Sequence, residues 1–286
     1  MNFQDFYKQK NPRYSFELFP PKDDKSINLL LEVLKELSVF NPSYISVTYG
    51  AMGSTQGLTR DLVLRIHREL KLNTAFHFTC VGSTRDSVRA YVESLKKEGI
   101  DLIVALRGDP PAGSAGFQKP VHGFGYANEL VSYLKEINGF SIAVAGYPEG
   151  HIEAKDKETD LKNLKRKVDA GADVVITQLF FDNQDYFDFE NRCRKIGIQI
   201  PIIPGIMPIV NVKQIEKITK MCGAKIPKSL QQKLIQYQDQ PGSVIQLGID
   251  HATKQCEELL QQKAVGIHFY TLNKAFSVKE VIRALS

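Results

Sequence analysis

The stretch Tyr14-Ser-Phe-Glu-Leu-Phe-Pro-Pro-Lys22 places one carboxylate, that of Glu17, inside an otherwise apolar run. Burying a charge costs free energy unless the charge is paired or its pKa shifts, so Glu17 is either an edge residue or an acid with a function. Proline has no N–H to donate to a strand ladder, so the strand is predicted to end at Pro20 and Pro21. In a barrel of parallel strands, this end lies on the rim that carries catalytic groups.

Eight short apolar runs alternate with longer amphipathic segments along the chain. The runs predicted as strands are Tyr14–Leu18, Tyr44–Val47, Ala75–Thr79, Leu102–Leu106, Ser141–Ala145, Val174–Gln178, Ile202–Ile206 and Gly266–Tyr270. Helical periodicity is found at Ile27–Leu37, Leu58–Leu70, Asp86–Glu98, Asn128–Ile137, Thr159–Ala170, Gln184–Ile196, Val212–Met221 and Ser277–Leu285.

Alternation of strand and helix implies parallel pairing with right-handed crossovers, and eight such units make a closed (β/α)8 barrel. An open doubly wound sheet is the alternative. It usually begins with a glycine-rich phosphate turn, and no GxGxxG or P-loop follows any predicted strand. We therefore predict an α/β protein with a TIM barrel that spans residues 1–286 as a single catalytic domain.

Two segments are longer than the alternation requires. Residues 109–125, rich in glycine and proline, follow the fourth strand. This segment is interpreted either as a mobile loop over a site or as a disordered insertion. Residues 223–263, between the seventh and eighth strands, have the pattern of two extra helices.

Composition excludes several classes of protein. No run approaches the roughly 18 apolar residues of a membrane span, and no signal-peptide core is found, so the cytoplasm is the expected location. The four cysteines show no CxxC pairing, which argues against a metal site. The net charge of +5 is mild and no basic cluster is found, so nucleic acid is not an expected partner, whereas anionic small ligands suit the charge.

Polar residues are concentrated at the predicted carboxyl ends of the strands, which converge on one face of a barrel. They are Glu17, Thr48, Tyr49, His77, Thr79, Arg107, Asp109, Tyr147, His151, Gln178, His268 and Lys274. Each alone has an ordinary structural explanation, such as an ion pair or a buried hydrogen bond. Because no nucleophile–base pair or GxSxG elbow is present, the set favours binding of a large heteroaromatic ligand and delivery of one proton, as around a redox cofactor.

At these residues the chain resembles the methylenetetrahydrofolate reductases of the short bacterial type, without a regulatory domain. The matching segments are Ser15-Phe-Glu-Leu-Phe-Pro-Pro-Lys22, Ser46-Val-Thr-Tyr-Gly50, His77-Phe-Thr-Cys80, Ile103-Val-Ala-Leu-Arg-Gly-Asp-Pro-Pro111, Ala145-Gly-Tyr-Pro-Glu149, Asn163-Leu-Lys-Arg-Lys-Val-Asp-Ala-Gly-Ala172, Ile176-Thr-Gln-Leu-Phe-Phe-Asp182, Ile203-Pro-Gly-Ile-Met-Pro208 and His268-Phe-Tyr-Thr-Leu-Asn273. One segment is modest evidence, but nine in family order are highly specific.

The resemblance implies a flavoprotein oxidoreductase with non-covalent FAD at the carboxyl ends of the barrel strands. It implies reduction of 5,10-methylenetetrahydrofolate to 5-methyltetrahydrofolate in one-carbon metabolism and methionine biosynthesis. NADH or NADPH is the implied electron donor, in a ping-pong mechanism, and a homo-oligomer is expected. The missing regulatory domain implies no inhibition by adenosylmethionine.

The resemblance also implies roles for individual residues. Glu17 matches the general acid that protonates folate N10, for which burial at an apolar strand end is expected to raise the pKa. Asp109 matches a catalytic aspartate beside flavin and pterin, and Gln178 matches a residue that binds the pterin. The positions that match flavin-binding residues are Thr48, His77, Arg107, Gly108, Asp109, Ala145, Tyr147, His151, Asp160 and Lys167.

The chain departs from the family pattern at three positions. Leu18 replaces a phenylalanine, which is a tolerable apolar change. Lys274, a predicted substrate contact, stands where arginine is common and keeps the charge but loses bidentate donation. Ile218 stands where some members have a phenylalanine that stacks on the substrate.

Two other functions compete with the reductase. One is a flavin-free barrel, such as an aldolase or lyase, which predicts a colourless protein with a Schiff-base lysine at a strand end. The other is a flavin- or folate-binding module that acts with a partner protein and does not turn over.

Overall fold

A parallel sheet of nine strand segments forms the centre of the protein, as seen in a computed structural model that describes residues 1–8, 13–20, 23–48, 56–109 and 117–285. The strands are β1 (Arg13–Leu18), β2 (Ile45–Val47), β3 (Thr74–Thr79), β4 (Leu102–Leu106), β5 (Ser141–Gly146), β6 (Val174–Thr177), β7 (Ile202–Ile203), β8 (Gly205–Ile206) and β9 (Gly266–Tyr270). Their order is β7-β6-β5-β4-β3-β2-β1-β9-β8.

The sheet returns on itself because its two terminal segments, β7 and β8, are separated by Pro204 alone. Proline cannot donate to the ladder, which splits this strand in two. The Pro204 carbonyl still accepts the backbone N–H of His268 at 2.9 Å, and the Gly205 N–H donates to the Thr177 hydroxyl at 2.9 Å. Counted as one strand, the two segments complete the eight-stranded barrel that the sequence predicts.

Gly205 is required where the barrel closes. A Cβ atom at this position would lie 2.3 Å from the Thr177 carbonyl oxygen and 2.6 Å from the Tyr270 ring. The Tyr270 hydroxyl donates to the same carbonyl at 2.7 Å. The missing side chain therefore lets an aromatic ring reach across β8 and join β9 to β6.

Helices surround the barrel, most of them at the predicted positions. They are α1 (Phe3–Phe6), α2 (Asp24–Ser38), α3 (Gln56–Glu69), α4 (Arg85–Lys96), α5 (Ala127–Ile137), α6 (Lys157–Asp169), α7 (Asn183–Lys195), α8 (Val212–Cys222), α9 (Lys228–Gln236), α10 (Pro241–Gln261) and α11 (Phe276–Ala284). Several begin at side-chain caps, as where Asp156 accepts the Thr159 N–H at 2.7 Å. The two extra helices predicted within residues 223–263 are confirmed as α9 and α10.

The short helix α1, which the sequence does not predict, closes the amino end of the barrel. Phe3 is fully buried, and its ring meets that of Tyr44 edge-on at 4.9 Å. Tyr7 hydrogen-bonds the Tyr44 hydroxyl at 3.2 Å. The inward strand residues packed with them are Ala75, Leu102, Val104, Ala143, Val174, Ile176 and Ile203. This apolar filling leaves the carboxyl end of the barrel for polar inward residues.

Two sequence predictions fall on residues outside the described ranges. Tyr49 and residues 110–116 of the loop after β4 belong to this group. The end of that loop is described, and it bridges to the start of α4 through Thr84 and Gly123. Within the described ranges, no helix combines the length and apolar character needed to cross a membrane.

Candidate active site

The Glu17 carboxylate lies inside the barrel between two imidazoles. Strand alternation turns Phe16 and Leu18 outward and Glu17 inward, at a level where β1 pairs with Tyr270 of β9. Glu17 Oε2 is 3.2 Å from His77 Nε2 and 3.4 Å from His268 Nε2. The Glu17 side chain is only 13% exposed, so the group is enclosed by protein on most sides.

His268 is held on both ring nitrogens. Its Nε2 faces the Glu17 carboxylate, which only accepts, and its Nδ1 lies 2.8 Å from the Ser15 hydroxyl. In a neutral ring that arrangement places the proton on Nε2 and leaves Nδ1 to accept from Ser15. The ring also stacks on Tyr44 at a centroid distance of 6.0 Å. His268 is therefore fixed in one orientation toward Glu17.

The electrostatics of Glu17 correct one sequence-based expectation. Burial does raise its pKa, as predicted, but the two adjacent imidazoles of His77 and His268 outweigh burial and lower the pKa to about 2. The prediction of a raised pKa is therefore wrong for the chain by itself. Sequence reasoning missed this because both partners come from distant strands.

A second polar cluster lies where β5 leads into α6. Lys167 donates from Nζ to the Ala145 carbonyl at 2.6 Å and lies 5.8 Å from the centre of the Tyr147 ring. Burial lowers the pKa of Lys167 to about 8, although the Asp160 carboxylate opposes that shift. Burial also raises the pKa of Asp160, although the charge of Lys167 and a hydrogen bond from the backbone N–H of His151 act to lower it. The cluster thus combines a buried cation and a buried acid that partly compensate each other.

Arg107 is linked to this second cluster through Glu153, which the sequence analysis does not identify as a candidate site residue. Its Nη1 and Nη2 donate to Glu153 Oε2 and Oε1 at 2.6 and 2.9 Å, and its Nε donates to the Gly108 carbonyl at 3.3 Å. The guanidinium also lies 5.3 Å from the centre of the Phe117 ring. The Glu153 N–H in turn donates to His151 Nδ1 at 3.1 Å.

Comparison with known proteins decides the family. Residues 2–286 match the sequence profile of the methylenetetrahydrofolate reductase family. The chain belongs to this family. It is 41% identical over 261 residues to 5,10-methylenetetrahydrofolate reductase of Escherichia coli, which covers 91% of this chain and 86% of that protein.

Other relatives are longer than this chain. It is 39% identical over 276 residues to methylenetetrahydrofolate reductase (NADH) 1 of Arabidopsis thaliana, covering 93% of this chain and 47% of that protein. The chain thus spans about half the length of the plant relatives.

A solved structure supports the fold. A Clostridium thermocellum protein described as binding two copies of 5-methyl-5,6,7,8-tetrahydrofolic acid superposes with a TM-score of 0.68. It covers 99% of this chain and 97% of that protein, at 15% sequence identity.

The structure brings most positions that match reductase residues into the two clusters. Glu17 and His77 are in contact, and so are Ala145, Tyr147, His151, Asp160 and Lys167 in the other cluster. Arg107 and Gly108 adjoin the second. The hydroxyl of Thr48 is buried at the end of β2 with no hydrogen-bond partner among the described residues.

Gln178 lies beside both the second cluster and α8. Its backbone N–H donates to the Gly146 carbonyl at 2.7 Å, and its Oε1 accepts the Leu179 N–H at 2.9 Å. A crevice shared with Tyr147 and Cys222 borders it. Gln178 therefore lines the same crevice as Tyr147.

Two predicted contacts, Asp109 and Lys274, are less enclosed than the clusters. The side chains of Asp109 and Lys274 are exposed, so neither is held in place by surrounding protein. Ile218 is partly buried against the apolar cluster that includes Leu179 and Tyr270.

Proposed function

We propose that the protein reduces 5,10-methylenetetrahydrofolate to 5-methyltetrahydrofolate, with FAD as cofactor and NADH or NADPH as donor, in a ping-pong mechanism. The observation that carries this proposal is the buried Glu17 carboxylate between two imidazoles at the carboxyl end of the barrel, in a chain of the reductase family. This arrangement places one carboxyl group in an enclosed site, where it can carry a proton once a bound ligand raises its pKa.

The residues at the carboxyl end fit a flavin nucleotide. The hydroxyls of Ser46 and Thr48 and the Nε2 atom of His77 are buried without a hydrogen-bond partner among the described residues. His77 Nε2 is near Glu17 but not aligned for a hydrogen bond. Unpaired buried polar groups are costly, so a ligand that pairs with them is favoured.

Charged and ring N–H donors supply the remaining contacts. Arg107, Lys167 and His151 would face the polar and anionic parts of the cofactor, and Thr48 and His77 the part deeper in the barrel. The chemistry that a bound FAD supplies is hydride transfer from nicotinamide to folate.

Glu17 would deliver the proton to the folate, and His268 would orient the Glu17 carboxyl group. A folate that covers this end removes water from Glu17, and that desolvation raises the pKa of the carboxyl group. The neutral His268 ring keeps its Nε2 proton, 3.4 Å from Glu17 Oε2, and Glu17 takes up one proton from solvent as the folate enters. The protonated carboxyl group then donates to N10 of the folate, the methylene–N10 bond breaks, and the carbon left on N5 accepts hydride.

Gln178 and Asp109 would orient the pterin. The Gln178 amide is fixed at its oxygen by Leu179, which leaves its NH₂ group to donate. Lys274, which is exposed, would contact the outer part of the substrate.

The visible spectrum of the protein tests this function. After reconstitution with FAD we expect flavin absorbance, bleaching by anaerobic NADH or NADPH, and recovery on addition of 5,10-methylenetetrahydrofolate. Absence of flavin absorbance would exclude the proposal. Bleaching without recovery would favour a binding module or another acceptor.

Three further expectations go with this function. They are a single catalytic domain, a homo-oligomer and a cytoplasmic location. Sedimentation of the purified protein tests the second, and cell fractionation tests the third.

A further inference from the structure

We propose that Glu153 is a positioning residue that fixes the guanidinium of Arg107 and the ring of His151 for the flavin. The proposal rests on the FAD-dependent function given above. Glu153 lies in the turn after β5, whereas Arg107 follows β4, so the contact joins two strand ends of the candidate site.

The contact with Arg107 sets the plane of the guanidinium. Both carboxylate oxygens of Glu153 are used, at 2.6 and 2.9 Å, and the Gly108 carbonyl accepts from Nε. A guanidinium has five N–H donors in one plane, so one donor on each Nη remains for a ligand. The Phe117 ring, 5.3 Å away, restricts the guanidinium further.

The contact with His151 sets its tautomer. His151 Nδ1 accepts the Glu153 backbone N–H at 3.1 Å, so that nitrogen carries no proton. A neutral ring then holds its proton on Nε2. Edge-on packing against Tyr147, at a centroid distance of 4.7 Å, fixes the direction of the ring.

Positioning outweighs charge in this arrangement. The paired carboxylate cancels the charge of Arg107, so removing it would also add a net positive charge near an anionic cofactor. The Glu153 side chain is 47% exposed, and solvent screens that gain. An arginine with its planar fork held in place, by contrast, loses less conformational freedom for each hydrogen bond that it forms.

The chain offers a matched control on α3. Arg65 binds Glu69 through Nε and Nη2 at 2.6 and 3.3 Å, and the Glu69 side chain is 49% exposed. Glu69→Gln therefore removes a similar bidentate pair within a helix, where neither partner matches a flavin-binding position.

Titration of the apoprotein with FAD, followed by fluorescence, tests the proposal. We expect Glu153→Gln to weaken FAD binding about tenfold, or about 1.4 kcal/mol, and Glu69→Gln to change it less than about twofold. Adding Glu153→Gln to Arg107→Lys should cause little further loss, because lysine cannot form the bidentate pair. Unchanged or tighter binding by Glu153→Gln, or additive losses, would overturn the proposal.

NMR of the apoprotein gives readouts that do not depend on turnover. We expect slowed rotation of the Arg107 guanidinium in the wild type and fast rotation in Glu153→Gln. The two proteins should unfold at the same midpoint. The ¹⁵N shifts of His151 should show a single Nε2–H tautomer near neutral pH. Freely rotating Arg107 or mixed His151 tautomers in the wild type would contradict the proposal.

The outcomes separate the two levels of inference. A wild type that binds no FAD removes the proposed function and the role of Glu153 together. A wild type that binds FAD and turns over, with Glu153→Gln equal to it, removes only the role of Glu153.

Discussion

Inward-facing side chains fill both ends of the barrel, but their chemistry differs between the amino end and the carboxyl end. At the amino end, Phe3 and Tyr44 fill the interior with aromatic rings. At the carboxyl end, Glu17, His77 and His268 occupy it with ionisable groups. The comparison shows that burial in this fold does not by itself distinguish stability from function. What differs is the chemistry of the buried side chains, and substitutions of Glu17, Phe3 and Tyr270 test that difference.

The largest effect is expected from Glu17→Gln. The amide cannot donate an acidic proton to N10, so folate reduction should fall by about 10²–10⁴-fold, the usual contribution of a general acid. Flavin binding and anaerobic reduction by NADH should persist, because the nicotinamide half-reaction needs no such proton. Stopped-flow measurement of the two half-reactions checks this. Near-normal folate turnover would remove Glu17 from the acid role.

Phe3→Ala should destabilise the protein at the amino end of the barrel. Deleting a fully buried phenylalanine ring is expected to lower the free energy of unfolding by about 3–5 kcal/mol. FAD affinity of the folded fraction should stay within about twofold, since the cavity opens far from the rim. Urea unfolding measures the loss. Phe276→Ala, at a side chain 59% exposed, is the control and should cost well under about 1 kcal/mol.

The pH dependence of stability should report the carboxyl end. Because His77 and His268 lower the Glu17 pKa from 4.5 to about 2, the unfolded chain binds more protons between those values. The resulting stability is present above about pH 4.5 and is lost as the pH falls toward about 2, an effect on the order of 3 kcal/mol.

Urea unfolding of wild type and Glu17→Gln across this range checks the sign. The difference in free energy of unfolding between the two proteins should shrink as the pH falls. A constant difference would mean that Glu17 is not held ionised by its imidazole partners.

The smallest effect is expected at the barrel closure. Tyr270→Phe removes the 2.7 Å hydrogen bond to the Thr177 carbonyl and should cost about 0.5–1.5 kcal/mol of unfolding free energy. Tyr126→Phe, at a residue 64% exposed, serves as the control. If both variants unfold at the wild-type midpoint, the hydroxyl does not contribute to closure.

Local patterns in the sequence predict most of the fold. Each predicted strand agrees with the structure to within a residue or two, because apolar runs bounded by turns are a local signal. The same runs correctly place Glu17 next to the carboxyl end of the first strand. The sequence does not predict the split of one strand into β7 and β8 at Pro204, nor the helix α1. A two-residue strand and a one-turn helix carry too little periodicity to detect.

The candidate site is predicted less completely. Its members stand at strand ends and can be found one by one, but their pairing depends on register across the barrel. Glu17 and His268 are 251 residues apart in the chain, and no local pattern couples them. For the same reason the direction of the Glu17 pKa shift is missed. Glu153 escapes notice because a glutamate in a polar turn looks like an ordinary surface residue.

The pairing of β1 with β9 bears on how the protein is made. These strands join residues 13–18 to residues 266–270, so the ladder forms only after nearly all of the intervening chain has left the ribosome. Synthesis at roughly 5–20 residues per second leaves the β1 edge without this partner for many seconds, which is when chaperones bind exposed strands. His268 arrives on that last strand, so a truncated product carries Glu17 without one of its two imidazole partners.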